Sequence, residues 1–309
     1  MRVPLPAAMM TMSRAMKVLV PQRWKTVVAA IIGAALVQLS GCSAVRLSYN
    51  QGPTLAYWWL DRYADFSSAQ APQVHAALDE WFAWHRSTQL PEYLPALALA
   101  QKLAADSVGA DQVCAQFEAW QQRAERAYDQ AVPAMAELVR SFTPAQIKHL
   151  EQRYARNLAE AEHDYLQPDP TERREANFKR TLERAETLYG RLDDPQRQVL
   201  WNGLAASPFD PHLWLAERKT RQQDTVQLLR QWQASRADAA TVQAGLRRIA
   251  ADQLASPRPA YRAYARKLTE GNCALGAQLH NATTPAQRRQ AVERLKGWEE
   301  DLRALIARR

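Results

Sequence analysis

The chain has 309 residues with 40 Lys and Arg against 32 Asp and Glu, a formal charge of +8. Five of those cations (Arg2, Arg14, Lys17, Arg23, Lys25) precede residue 42, where there is no acidic residue, so the rest carries 35 against 32, or +3. That near balance, with signs alternating in runs such as Glu172-Arg173-Arg174-Glu175, describes solvated helix faces and argues against a nucleic-acid partner.

After residue 41 Ile occurs only at 147, 249 and 306, and Gly only eight times, while Ala, Leu, Gln, Arg and Glu dominate. Helix formers in excess, with β-branched residues and hairpin glycines scarce, predict an all-α fold without a sheet. The periodicity predicts about nine or ten helices in a multi-helix bundle or extended helical array. The expected organisation is a signal peptide over 1–41, a short tether over 42–53, and one helical domain over 54–309 with a subdivision near 208.

In chain order, the basic leader comes first and the run from Thr26 to Leu39 follows it, almost wholly apolar. Charged-then-apolar order, with a run shorter than the ~20 residues of a spanning helix, is that of a secretory signal. Initiation at Met12 or Met16 gives a leader of conventional length. An uncleaved N-terminal anchor is the alternative. Leu39-Ser40-Gly41-Cys42 closes the run and resembles the lipobox of bacterial lipoproteins. The resemblance implies recognition of Leu39, Ser40 and Gly41 by a signal peptidase, cleavage before Cys42, and diacylglyceryl and palmitate-type acyl chains on that cysteine. Ser43, where Asp would favour inner-membrane retention, implies sorting to the periplasmic face of the outer membrane in a Gram-negative cell.

Beyond the tether lies Leu55-Ala-Tyr-Trp-Trp-Leu-Asp-Arg-Tyr63. Burial energy favours packing Trp58, Trp59 and Tyr63 under the first helices. Placement at the headgroup level of the membrane is the alternative. Apolar residues then recur at three-four spacing. One stripe holds Val74, Leu78, Trp81 and His85, the histidine read as a hydrogen-bonded core residue. The next runs from Val113 through Phe117, Trp120, Ala124, Ala127, Ala131, Met135 and Leu138 to Phe142. A third comprises Ile147, Leu150, Tyr154, Leu158, Ala161 and Tyr165. Later stripes centre on Phe178 to Leu188, Val242 to Ile249 and Val292 to Leu305.

Pro91, Pro144, Pro170, Pro195, Pro211 and Pro285 are placed for first helical turns, and Gly109 and Gly190 for C-terminal caps. Pro133 interrupts a periodic run and predicts a kink or break near Val132. Residues 167–170 and 207–211 are hinge candidates. Cys114 and Cys273 remain as an even pair, a disulfide candidate in an oxidising compartment, with two buried thiols as the alternative.

Signals for catalysis are thin. Glu160 and His163 have the Glu-x-x-His spacing of di-iron bundles, but no other histidine has Glu three residues before it. His75 and Asp79 read as a surface pair one turn apart. There is no His-Glu-x-x-His, glycine-rich phosphate loop or Gly-x-Ser-x-Gly. No catalytic residue, metal ligand or cofactor is nominated. Phe142-Thr143-Pro144-Ala145-Gln146 and Thr283-Thr284-Pro285-Ala286-Gln287 share a helix opener, with Asp193-Asp194-Pro195-Gln196 a looser relative. Capping explains it: threonine at the cap, proline in the first turn, glutamine reaching back. The opener also resembles the Leu-Thr-x-x-Gln signature of Spy-type periplasmic chaperones. Over the whole chain, the lipobox, Tyr49-Asn50, Trp58-Trp59-Leu60-Asp61-Arg62-Tyr63 and Trp81-Phe82-Ala83-Trp84-His85 resemble an uncharacterised proteobacterial lipoprotein family with no assigned activity.

The functional expectation is a non-enzymatic scaffold, attached to the membrane through lipid on Cys42 and binding an envelope protein. A chaperone-like binder of unfolded clients is the alternative, and a metal enzyme at Glu160 and His163 a distant third.

Overall fold

The computed structural model describes residues 44–307, which are helical throughout, with no strand among them. The all-α expectation holds. Leu39, Ser40, Gly41, Cys42 and Ser43 lie outside the described residues.

Helix α1 spans Ala44–Asn50 and α2 spans Gly52–Ala64. The stretch expected as a tether up to Pro53 is therefore helical. Its inward residues are three apart, Arg46 and Tyr49, and both find partners on the body. Next comes α3, Ala71–Trp84, which runs without interruption through a π turn at His85–Gln89 into α4, Leu90–Ala105. Pro91 does not open a separate helix here. Its ring and missing N–H conflict with a regular α turn, and the wider π turn just before it makes room. Carbonyls in that turn are taken by side chains: Ser87 Oγ donates to Ala83 O at 3.0 Å and Thr88 Oγ1 to Trp84 O at 2.8 Å.

Helix α5, Ala110–Arg140, contains Pro133 without a break, against expectation. Buried Val132 and Ala136 hold that turn against other helices, so packing overrides the lost hydrogen bond. Gly109 caps its N-terminus, not the C-terminus of α4, and its N–H is satisfied by Gln112 Oε1 at 2.9 Å. The anticipated stripe of α5 is only half right. Phe117 and Trp120 are exposed, and the buried line near the C-terminus is Val132, Ala136 and Val139. A helix this long changes neighbours along its length, so no single face stays covered.

Helices α6 (Pro144–Tyr165), α7 (Pro170–Tyr189), α8 (Asp194–Ala206), α9 (Pro211–Ser235), α10 (Ala239–Leu254), α11 (Pro259–Asn281) and α12 (Pro285–Ala307) complete the chain. Their starts follow elementary capping. Asp169, Asp193, Asp210 and Asp238 each accept a backbone N–H of the first turn, and proline fills the opening of α6, α7, α8, α9 and α11. Gly190 ends α7 at φ 74° and ψ −164°, a conformation open only to glycine.

The order of contacts repeats. Helix α2 packs on α3 as α7 packs on α8; α2 on α6 as α7 on α12; α3 on α5 as α8 on α11; and α4 on α12 as α9 on α6. Two copies of one helical scheme are thus interlocked, because the third helix of each copy, α4 or α9, covers the last helix of the other, α12 or α6. Helix α10, packed on α5 and α9, is the addition in the second copy. The largest core gathers Val132, Ile147, Leu150, Val226, Leu229, Trp232, Val242 and Leu246 from α5, α6, α9 and α10. A second joins Leu97 and Ala104 of α4 to Ala291 and Leu295 of α12. Cys114 of α5 and Cys273 of α11 are joined in a disulfide with Cα atoms 5.4 Å apart, linking the two equivalent helices.

Candidate functional site

The N-terminal helices carry the most distinctive surface. Arg46 pairs with Asp301 of α12 at 3.0 Å, and Arg86 Nη2 donates to Asn50 Oδ1 at 3.1 Å. Tyr49 reaches the π turn, its hydroxyl 2.9 Å from His85 Nδ1, while the Tyr93 hydroxyl lies 3.0 Å from Nε2. His85 is buried and stacked on Trp81 at 4.7 Å between ring centroids. Burial lowers its pKa to about 4, and burial pushes Tyr49 up to about 12. A neutral imidazole has one donor and one acceptor, so one tyrosine donates to it and the other accepts. The core histidine expected from the stripe is confirmed, but its role as the dock for α1 was not visible in the sequence.

The outward face of α1 and α2 is apolar. Trp58 is 61% exposed and Trp59 46%, and Leu55, Val45 and Leu47 are exposed as well. Leu55, Trp58, Trp59 and Arg62 follow i, i+3, i+4, i+7 spacing, so one side of α2 is a continuous stripe ending in a cation. The opposite side is occupied: a Cβ on Gly52 would overlap the Phe82 ring, Ala64 is buried, and Tyr57 stacks on His75 at 4.0 Å. The core placement favoured for Trp58 and Trp59 is therefore overturned. The same helix already satisfies its packing with smaller residues and with Tyr63. That tyrosine is built into the body, accepting from Asn157 Nδ2 at 2.8 Å and meeting Tyr154 edge-on.

The remaining candidates do not converge. Glu160 and His163 are exposed on α6, and His163 Nδ1 lies 3.4 Å from Oδ1 of its neighbour Asp164. His75 stacks on Tyr57 and is not engaged as a pair with Asp79. No group of three or more potential metal ligands gathers among the described residues.

The helix openers form two hydrogen-bonded clusters. Thr143 and Gln146 make a reciprocal capping box, and so do Ser67 and Gln70 at the start of α3. The two glutamines then meet: Gln146 Nε2 donates to Gln70 Oε1 at 2.7 Å and to the carbonyls of Ala64 and Asp65 at 3.0 Å. In the second copy Asp193 and Gln196 pair in the same way with Thr284 and Gln287. Gln196 Nε2 donates to Gln287 Oε1 at 2.7 Å, and Gln196 Oε1 accepts from Gln287 Nε2 at 2.9 Å. The openers are thus structural joints, and their glutamines have no donor or acceptor to spare for a client.

One buried charge escaped sequence reasoning. Burial pushes the Glu217 carboxyl up, but hydrogen bonds from Ser256 and Arg258 and the nearby Arg221 outweigh it and hold the group below its ordinary range. The contacts are 2.7 to 2.8 Å, and the cluster fastens α9 to the turn before α11. No helix of the described residues is long and apolar enough to cross a membrane.

No curated protein and no solved structure matches the chain. A family model does match, over residues 62–253, and the chain belongs to that family, DUF6279, a family of unknown function.

Proposed function

We propose that this family member is a bacterial lipoprotein, cleaved before Cys42 and held through lipid on that cysteine at the periplasmic face of the outer membrane. Its helical body serves as a non-enzymatic scaffold for an envelope protein. The observation that carries the reading is Leu39-Ser40-Gly41-Cys42, placed at the end of a charged-then-apolar leader and two residues before the first described helix, at Ala44. Three acyl chains on one cysteine exceed the roughly two signals that stable anchoring needs. A binding rather than catalytic role is supported by the placement of the acid–base candidates. Glu160 and His163 are solvent-facing, while His85 and Glu217 are spent in internal hydrogen bonds.

Metabolic labelling with an acyl-chain analogue tests the anchor. The wild-type chain takes up label and fractionates with the outer membrane, whereas Cys42→Ala stays unlabelled and unprocessed. Normal processing and sorting of the alanine variant would sink the proposal. Crosslinking in intact envelopes tests the scaffold role: a discrete protein adduct is expected, and its absence across crosslinkers placed over α3–α12 would count against it.

A further inference from the structure

Of ten exposed large apolar side chains among the described residues, five lie within residues 45–59: Val45, Leu47, Leu55, Trp58 and Trp59. The other five, Leu99, Phe117, Trp120, Leu213 and Leu254, are spread over α4, α5, α9 and α10. Scattered exposed apolar residues are ordinary, whereas a contiguous patch marks a contact surface. We propose that the Leu55, Trp58 and Trp59 stripe of α2 seats in the headgroup region of the phospholipid bilayer to which the N-terminal segment attaches the chain.

Three observations favour lipid over a second copy or a protein. The first is distance along the chain. Leu55 stands thirteen positions after Cys42, and the described residues between them, 44–54, are helical but for Gln51, which at about 1.5 Å per residue makes ~20 Å. A helix leaving the bilayer upright would carry Trp59 well clear of it. Lying flat, the same helix brings every residue of the stripe to one depth. The second is residue type, since tryptophan combines a large apolar ring with an N–H donor and is enriched where hydrocarbon meets water. The third is Arg62, exposed on the same face one turn beyond Trp58, a position from which a stem laid on the apolar stripe would bring the guanidinium to lipid phosphate.

Arg46 and Tyr49 dock α1 on the body, and Val45 and Leu47, on either side of that docked edge, stay exposed. The inference rests on the membrane attachment proposed above but not on its chemistry. Acylated Cys42 and an uncleaved leader each bring the bilayer to the start of α1.

The test reconstitutes the full chain in vesicles of phosphatidylethanolamine and phosphatidylglycerol, with a share of the lipid brominated near the top of its acyl chains. Bromine quenches tryptophan at contact range. The quenchable fraction of the fluorescence is expected to fall by more than half from the wild-type chain to W58S/W59S. Both side chains are exposed, so the variant folds, and an unchanged helical circular dichroism spectrum checks this. Equal quenching in the two chains overturns the inference, and a photo-crosslinker at position 58 would then show whether a protein or a second copy covers the stripe. Acyl labelling of Cys42 is scored in the same preparations. Unlabelled Cys42 with quenching lost in W58S/W59S removes lipidation and keeps the inference, while labelled Cys42 with equal quenching does the reverse.

Discussion

Gln146 and Gln287 occupy the same position in two helices that open with the same four residues, and the structure treats them differently. Gln146 is 6% exposed, and its amide donates to two carbonyls and a second glutamine, whereas Gln287 is half-buried and donates to Arg191 O and Gln196 Oε1. Ser141, ending α5, accepts from Gln70, just as Ala282, ending α11, accepts from Gln196. The hydrogen-bond scheme is nearly identical in the two clusters. Enclosure is what separates them, and enclosure decides how much an unmade hydrogen bond costs.

The largest test of this pairing acts on the bridge between the two helices that lead into the clusters. Cys114 and Cys273 are 159 residues apart, and on the chain-entropy picture a closure of that length stabilises by up to about 5 kcal/mol. Urea denaturation of the double alanine variant is expected to show one transition, shifted to lower denaturant by 2 kcal/mol or more on the ~2–4 kcal/mol scale typical of native disulfides. Two separated transitions would mean that the halves fold independently, against the interlocked packing.

A middle-sized effect comes from the glutamines. Gln146→Ala strands the carbonyls of Ala64 and Asp65 and the side chain of Gln70, and is expected to cost about 3 kcal/mol. Gln287→Ala leaves the exposed Arg191 carbonyl to water and buried Gln196 still bonded to Asp193 N and Ala282 O, so about 1 kcal/mol is expected from the same denaturation measurement. Equal losses would show that capping geometry, not enclosure, sets the energy. The smallest contrast lies in the turns that precede the boxes. Asp65 ends α2 at φ 49°, and Gly190 ends α7 at φ 74°. Gly190→Ala should lose somewhat more than ~1 kcal/mol, with its new methyl against the Gln290 side chain. Asp65→Gly should lose little or gain a few tenths, roughly the cost of holding a non-glycine residue in the left-handed region. Thermal midpoints measured side by side will show the sign.

The sequence was most informative where the physics is local. Helix starts at Pro144, Pro170, Pro211 and Pro285, the cap at Gly190, and the stripes Ile147–Tyr165 and Val292–Leu305 follow from three-four spacing and cap chemistry, and the structure places them accordingly. The disulfide was legible only as a pair of candidates, because Cα proximity across 159 residues is a property of the fold. Pro133 and Pro91 misled for one reason, that a helix held on several sides by packing tolerates a proline that an isolated helix would not. Trp58 and Trp59 misled for the opposite reason. Amphipathic periodicity tells which residues share a face, but not which face the body covers, and here the side with the larger rings is left outside. The pairing of the capping boxes was hidden as well, since Ser67 and Gln70 lack the proline and threonine that flag the other openers.

Helix α4 and the last helix, α12, bury their cores against each other although most of the chain lies between them. A polypeptide made from its N-terminal side onward thus has to keep Leu97 and Ala104 waiting until α12 arrives. Contacts of such long sequence separation slow folding and leave apolar surface open in the interval. Completion is therefore a late and collective event that waits for α12, and a chain truncated before Ala291 would have nothing to close over its first half.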